Sequence, residues 1–148
     1  MKKLFNLLLF SILVAVDQLT KYLVVSQGVS YDNGLFFAVR LSYNRGISWG
    51  MFHSESSLTF ALVSVVIACT LIYFAWYTFC VYRAEESIVA YTVVCAGAVS
   101  NFIDRLSHGA VIDFILFYWR ELHFPIFNPA DVFIVCGVFY ILFFQSRD

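Results

Sequence analysis

Two aspartates could do chemistry together, although only the first stands where a carboxylate has little structural reason to be. Asp113 interrupts the apolar run Val111-Ile112-Asp113-Phe114-Ile115, and Asp131 closes Asn128-Pro129-Ala130-Asp131, eighteen positions further on. The second context reads as a helix start, with Asn128 as N-cap, Pro129 at the first helical position and Asp131 at the third. An acid in a first turn is favoured by the helix dipole and the free N–H groups, which accounts for Asp131 without any chemistry. The same placement biases Asp131 toward its ionised form, so that a second carboxyl held nearby would keep a proton. Desolvation in an apolar stretch would push Asp113 the same way. Two carboxyls sharing one proton can activate water with one group and protonate a leaving group with the other, as in the aspartic proteases. A coupled pair titrates jointly, so the sequence leaves open which aspartate plays which part.

Other polar residues fall inside apolar stretches. Asp17 and Lys21 are spaced i,i+4, as a neutralising pair on one helix face would be, and Asn101, Asp104 and Arg105 share a face at i, i+3 and i+4. The triplet suits mutual hydrogen bonding and substrate binding equally. There is no HExxH and no Gly-rich phosphate loop. His53, His108 and His123 lie in loops without ligand spacing, so no metal and no cofactor are expected. Cys69, Cys80, Cys95 and Cys136 sit in apolar runs with no CxxC, which predicts small buried hydrophobes rather than thiol chemistry.

The elements that must position these residues follow from composition. With 148 residues, 61% hydrophobic and only 13% charged, the chain has room for one domain and needs lipid as its solvent. A formal net charge of −1 offers no basic surface to nucleic acid. Met1-Lys2-Lys3 and the apolar run behind it imitate a signal peptide, but apolar character continues to Val25 with no A-x-A site, as in a retained first span. Hydropathy predicts four spans, at about 4–25, 58–81, 88–106 and 129–145. They are joined on one side by polar segments at about 26–57 and 107–128. Residues 35–41 have strand composition, and the aromatics of 107–128 suit the headgroup layer. The glycines Gly28, Gly34, Gly46 and Gly50 suggest a lid in the first of these segments. An up-down-up-down bundle brings the intramembrane polar residues to one end. Lys2, Lys3, Arg83 and Arg147 flank the opposite end, so the positive-inside rule puts both termini in the cytoplasm.

With these residues in hand, the chain resembles the bacterial lipoprotein signal peptidases, the type II signal peptidases, over nearly its whole length. Five patches carry the likeness, in order: Val16-Asp17-Gln18 with Lys21; Asn44-Arg45-Gly46; Gly97-Ala98 with Asn101, Asp104 and Arg105; Val111 with Asp113-Phe114; and Phe124-Pro125 with Phe127-Asn128 and Ala130-Asp131. The resemblance implies an all-α membrane protein with four transmembrane helices and a small β-rich periplasmic cradle. It implies Asp113 and Asp131 as a catalytic dyad, with Asn44, Arg45, Gly46, Asn101, Asp104, Arg105 and Asn128 lining or organising the site and Asp17 and Lys21 beside it. The expected enzyme is a monomeric, multi-pass protein of the bacterial cytoplasmic (inner) membrane whose site opens at the periplasmic face. Its partners would be membrane lipid and a prolipoprotein carrying diacylglycerol on its lipobox cysteine, cut just before that residue. Ile47-Ser48-Trp49 departs from the usual small residues followed by Phe, and Ser100 and Phe102 stand at positions that vary among relatives. The competing reading is a small ion-conducting or scaffold membrane protein without catalytic activity, since intramembrane charges also mark ion pathways. Confinement of the charges to one end argues against it.

Overall fold

A computed structural model describes residues 2–46 and 56–145. Four helices and a small sheet alternate along the chain: α1 (Lys2–Gln27), β1 (Tyr31–Asp32), β2 (Phe37–Asn44), α2 (Ser57–Arg83), α3 (Val89–His108), β3 (Val111–Trp119), β4 (Leu122–His123) and α4 (Pro129–Phe143). Helix α3 is the hub, since α1, α2 and α4 all pack against it. The reading of 35–41 as a strand agrees with β2, which is displaced toward Asn44. The apolar run around Asp113 is the start of a nine-residue strand. The departure at Ile47-Ser48-Trp49, together with Gly50 and His53 and much of the suggested lid, lies outside the described residues.

The bundle is turned inside out relative to a water-soluble one. Large apolar side chains such as Leu4, Leu7, Ile12, Leu62, Val66, Ile72 and Val135 point outward, while Asp17, Lys21, Ser100, Asp104 and Asn128 are enclosed. Helices α1 and α2 are each long and apolar enough to cross a membrane. Helix α4 is apolar but has 15 residues, a rise of about 22 Å at 1.5 Å each, short of a hydrocarbon core of about 30 Å. The cysteines depart from expectation. Cys69, Cys80 and Cys136 are exposed on the outer surface, and only Cys95 is partly covered. Where the surroundings are lipid, a small hydrophobe gains nothing by facing inward.

Close approach of α3 and α4 depends on two glycines. A methyl on Gly97 would run into the carbonyl oxygen of Ala130 and stand 2.9 Å from Ile134 Cγ1, and one on Gly137 would stand 2.6 Å from Val94 Cγ2. Small residues at such crossings let backbones touch, the main attraction available to helices surrounded by lipid.

The sheet is antiparallel in the order β1-β2-β3-β4. Asn33 Oδ1 accepts from the backbone N–H groups of Leu35, Phe36 and Phe37 at 2.9–3.0 Å, closing the turn between β1 and β2. Between β2 and β3 the register slips by one residue. Val39 faces Ile115, whereas Ser42 faces Asp113 and Asn44 faces Val111. A slip of one residue moves every following side chain to the other face of the strand. Without this bulge Tyr43, not Asn44, would occupy the position opposite Val111.

Gly97→Ala is expected to force α3 and α4 apart and cost about 1–3 kcal/mol by overpacking. Unfolding of the purified protein in detergent measures it, and unchanged stability would show that the helices do not meet at this point.

Candidate active site

The hairpin of β3 and β4 turns at Arg120, which is in the left-handed region at φ 53°, and the chain then folds back along β3. Ile115 N–H donates to Phe127 O at 2.8 Å and Phe127 N–H returns a bond to Ile115 O at 3.0 Å. This single bridge clamps the start of α4 beside Asp113. Asn128 then caps the helix as its sequence suggests. Its Oδ1 accepts from Asp131 N–H at 3.0 Å, and its own N–H donates to Asp131 Oδ2 at 3.2 Å, a reciprocal capping box.

The Asn128 amide group also faces the other aspartate. Its Nδ2 donates to Asp113 Oδ1 at 2.6 Å and lies 3.3 Å from Ile112 O and 3.1 Å from Asn101 Oδ1. The second Asp113 oxygen accepts from Asn44 Nδ2 at 3.0 Å, reaching across β2 and β3 because of the bulge. Asp131 Oδ1 accepts from Asn101 Nδ2 at 2.9 Å. One residue, Asn128, thus touches both carboxyls, and each carboxyl has a further amide donor of its own.

Burial pushes the Asp113 carboxyl up to about 7, and the negative charge of Asp131 adds to the effect. Hydrogen bonds from Asn44 and Asn128 pull the other way without cancelling it. Asp113, on the strand outside the helices, therefore exchanges its proton near neutrality.

Beneath the pair lies a buried ionic layer. Lys21 Nζ is 2.6 Å from Asp17 Oδ2, 2.7 Å from Asp104 Oδ2 and 2.9 Å from Asn101 Oδ1, so its three protons have three acceptors. Asp17 and Lys21 do form the expected i,i+4 pair. Lys21 also joins α1 to α3 and, by holding the Asn101 oxygen, turns the Asn101 NH₂ toward Asp131. Asp17 Oδ1 accepts from Ala130 N–H at 2.9 Å and its Oδ2 from Ser100 Oγ at 2.7 Å, tying α1 to the first turn of α4. Asp104 accepts from Gln18 Nε2 at 2.9 Å and from Ile112 N–H at 3.2 Å. Arg105 donates to the Gly46 carbonyl and lies over the Phe60 ring at 5.6 Å, which Arg45 approaches at 5.3 Å.

All the residues singled out by sequence thus gather at one end of the bundle. Ser100 and Gln18 were not assigned a part, and neither was Phe60. Ser100 carries no signal in its residue type. Its signal is positional, one helical turn before Asp104, on the face that Asp17 must reach. Phe60, one of several aromatics in a mostly apolar helix, carries none. Two of the histidines expected in loops lie in regular elements instead: His108 ends α3 and sits against Ser107 at 3.1 Å, and His123 is on β4 against the Tyr118 ring at 5.8 Å.

The sequence model of the signal peptidase (SPase) II family matches residues 9–146. The chain belongs to the signal peptidase II family. A lipoprotein signal peptidase of Symbiobacterium thermophilum is 34% identical over 142 residues, covering 90% of this chain and 88% of that protein. One of Syntrophotalea carbinolica is 34% identical, covering 96% of this chain and 91% of its own. Two solved structures of bacterial membrane enzymes superpose with a TM-score of 0.69 each, at 30% and 29% identity. They cover 93% and 97% of this chain, and the matches span 85% and 94% of theirs. The family's mostly helical membrane architecture with a small antiparallel sheet is the one described above.

Two expectations follow from the site. Lys21→Met leaves Asp17 and Asp104 facing each other unneutralised and should cost about 3–5 kcal/mol, partly recovered by adding Asp104→Asn; unfolding of both variants in detergent checks this. Asp113 takes up its proton at about 7 when folded, against an ordinary value of 3.8. Between those values the folded state holds more protons than the unfolded one, so stability must fall as pH rises through the window. The melting temperature of the wild type should therefore decline from pH 4 to 7 relative to Asp113→Asn; parallel curves would exclude the raised carboxyl.

Proposed function

We propose that this chain is a membrane-embedded aspartic endopeptidase that removes signal peptides from prolipoproteins, with Asp113 and Asp131 as its catalytic pair. The observation that carries the reading is the joint hold of Asn128 on both carboxyls, its side chain on Asp113 and its backbone N–H on Asp131. In the singly protonated pair, the ionised carboxyl takes a proton from the attacking water while the other gives its own to the carbonyl oxygen. As the gem-diol collapses, the first passes the water-derived proton to the departing amine and the second recovers a proton from a gem-diol hydroxyl. Asn44, Asn101 and Asn128 hold the carboxyls in place, so no reorganisation is needed when the proton moves.

The substrate is a precursor whose lipobox cysteine carries diacylglycerol, cut before that cysteine, and its lipid explains why the site belongs at the bilayer boundary. The four helices all span the inner membrane in a single domain, the short α4 where the bilayer thins around it and α3 because α1, α2 and α4 surround it, and the site opens toward the periplasm. The enzyme acts as a monomer. An ion-conducting protein would need polar groups along the whole bundle. Below Asp17 the interior passes instead into a slot walled by Phe10, Leu71, Ala75 and Val99.

Purified protein should cleave a fluorogenic lipopeptide before the modified cysteine. Asp113→Asn and Asp131→Asn should each fall by about 10³-fold or more while remaining folded, since a general acid or base contributes roughly 10²–10⁴. Substantial cleavage by either variant refutes the pair, and ion flux without cleavage by the wild type favours the conducting protein.

A further inference from the structure

Two hollows lie in series along the bundle, away from the carboxyls. The first, about 330 Å³, is a slot among α1, α2 and α3 lined by Phe10, Leu71, Ala75, Cys95 and Val99, with the hydroxyls of Thr78 and Thr92 on its wall. Thr78 and Thr92 each donate to a backbone carbonyl one turn back, at 2.8 Å, which leaves the slot apolar in character. The second, about 1190 Å³, opens at the end of the molecule opposite the site, between the first turns of α1 and the α2–α3 turn. Asn6 borders both, so the two adjoin at its side chain.

The larger hollow has an unusual lining. Lys3 and Arg83 supply two cations, Glu85 and Glu86 two anions, and Leu4, Phe5, Ile88 and Val89 an apolar floor. Among the described residues neither glutamate takes part in an ion pair, and Lys3 lies over the Tyr82 ring at 5.4 Å. The turn that presents the glutamates is held firmly. Glu85 is in the left-handed region at φ 63°, its N–H bonds Tyr82 O at 3.1 Å, and Gln145 Nε2 from the end of α4 bonds Ser87 O at 3.1 Å.

A balanced set of separated cations and anions fits neither a purely basic nor a purely acidic ligand. It fits a headgroup carrying both signs, phosphate against Lys3 and Arg83 and ammonium against Glu85 and Glu86. An ammonium with N–H donors satisfies the carboxylates; a quaternary one does not. Size decides what occupies the slot. One turn of a helix about 10 Å wide and 5.4 Å long takes roughly 420 Å³, more than the slot holds. A methylene needs about the 30 Å³ of a water molecule, so roughly ten carbons of an acyl chain fit. A substrate helix is thereby disfavoured and a lipid chain favoured.

We infer that this end of the bundle is a binding site for a membrane phospholipid of the ethanolamine type, headgroup among Lys3, Arg83, Glu85 and Glu86 and one acyl chain in the slot between α1, α2 and α3. The lipid fills space that would otherwise leave α1 and α2 poorly packed against α3. The inference rests on α1 and α2 lying in a bilayer and is independent of the catalytic reading.

Delipidated full-length protein in detergent, titrated with ethanolamine, choline and glycerol phospholipids of equal chain length and read by native mass spectrometry, tests it. Wild type should hold the ethanolamine lipid about ten-fold more tightly than either other, the worth of a charged hydrogen bond. Glu85→Gln with Glu86→Gln should bring ethanolamine and choline lipids within about two-fold. Ala75→Trp, which fills the slot, should weaken all three. Retained lipopeptide cleavage by these variants, whose substitutions are remote from the carboxyls, checks that they are folded; if cleavage is lost, a thermal shift of wild type on adding each lipid gives the same ranking. Equal binding of the three lipids by wild type, discrimination that survives the double glutamine variant, or displacement of bound lipid by the basic end of a substrate peptide would overturn the inference.

Discussion

A lysine ammonium left with 1% of its surface exposed survives only if every proton finds an acceptor and its charge is balanced. Lys21 meets that demand with Asp17, Asp104 and Asn101, which lie on two different helices. The requirement is exacting because the surroundings are lipid. Apolar surroundings offer no hydrogen bond to relieve an error. Satisfying the ammonium therefore fixes the rotation of α1 against α3 and the orientation of the Asn101 amide. Asn101 in turn presents its NH₂ group to Asp131. Asp17 spends its remaining acceptor on Ala130 N–H, so the first turn of α4 is set by the same charge balance.

The sheet supplies the other half of the site by a different kind of force. Backbone pairing of Ile115 with Phe127 fixes where the chain re-enters the bundle, and the β2 bulge decides that Asn44 rather than Tyr43 reaches Asp113. Helices and sheet thus impose independent constraints that converge on Asn128. Its backbone and side chain are both committed, the first to capping α4 and the second to Asp113. A residue with so many simultaneous partners permits little substitution, because any replacement leaves one buried polar group unmatched.

Lipid-facing and polar regions divide the molecule along its length. Charged groups accumulate at the end where the sheet covers the helices, and the middle of the bundle is apolar inside as well as outside. At the far end charge returns in the mixed form of Lys3, Arg83, Glu85 and Glu86. The carboxyl pair and the mixed-charge hollow thus lie at separate ends, joined by α3.

What the sequence determined alone were the features with a local cause. Apolar runs marked the helices, Asn128-Pro129-Ala130-Asp131 marked a capped helix start, and i,i+3 and i,i+4 spacing put Asn101, Asp104 and Arg105 on one face. Those signals need only neighbours within a turn or two. The placement of polar residues at one end followed from alternation of the helices, and Asp113 stood out because a charge in an apolar strand costs energy. Only the tertiary structure decided the partners. That Lys21 serves Asp104 as well as Asp17, that Ser100 and Gln18 complete the ionic layer, that a bulge aims Asn44, and that the cysteines face outward all depend on helix rotation and strand register. These are settled by contacts between residues some 15 to more than 100 positions apart, and no local pattern encodes them.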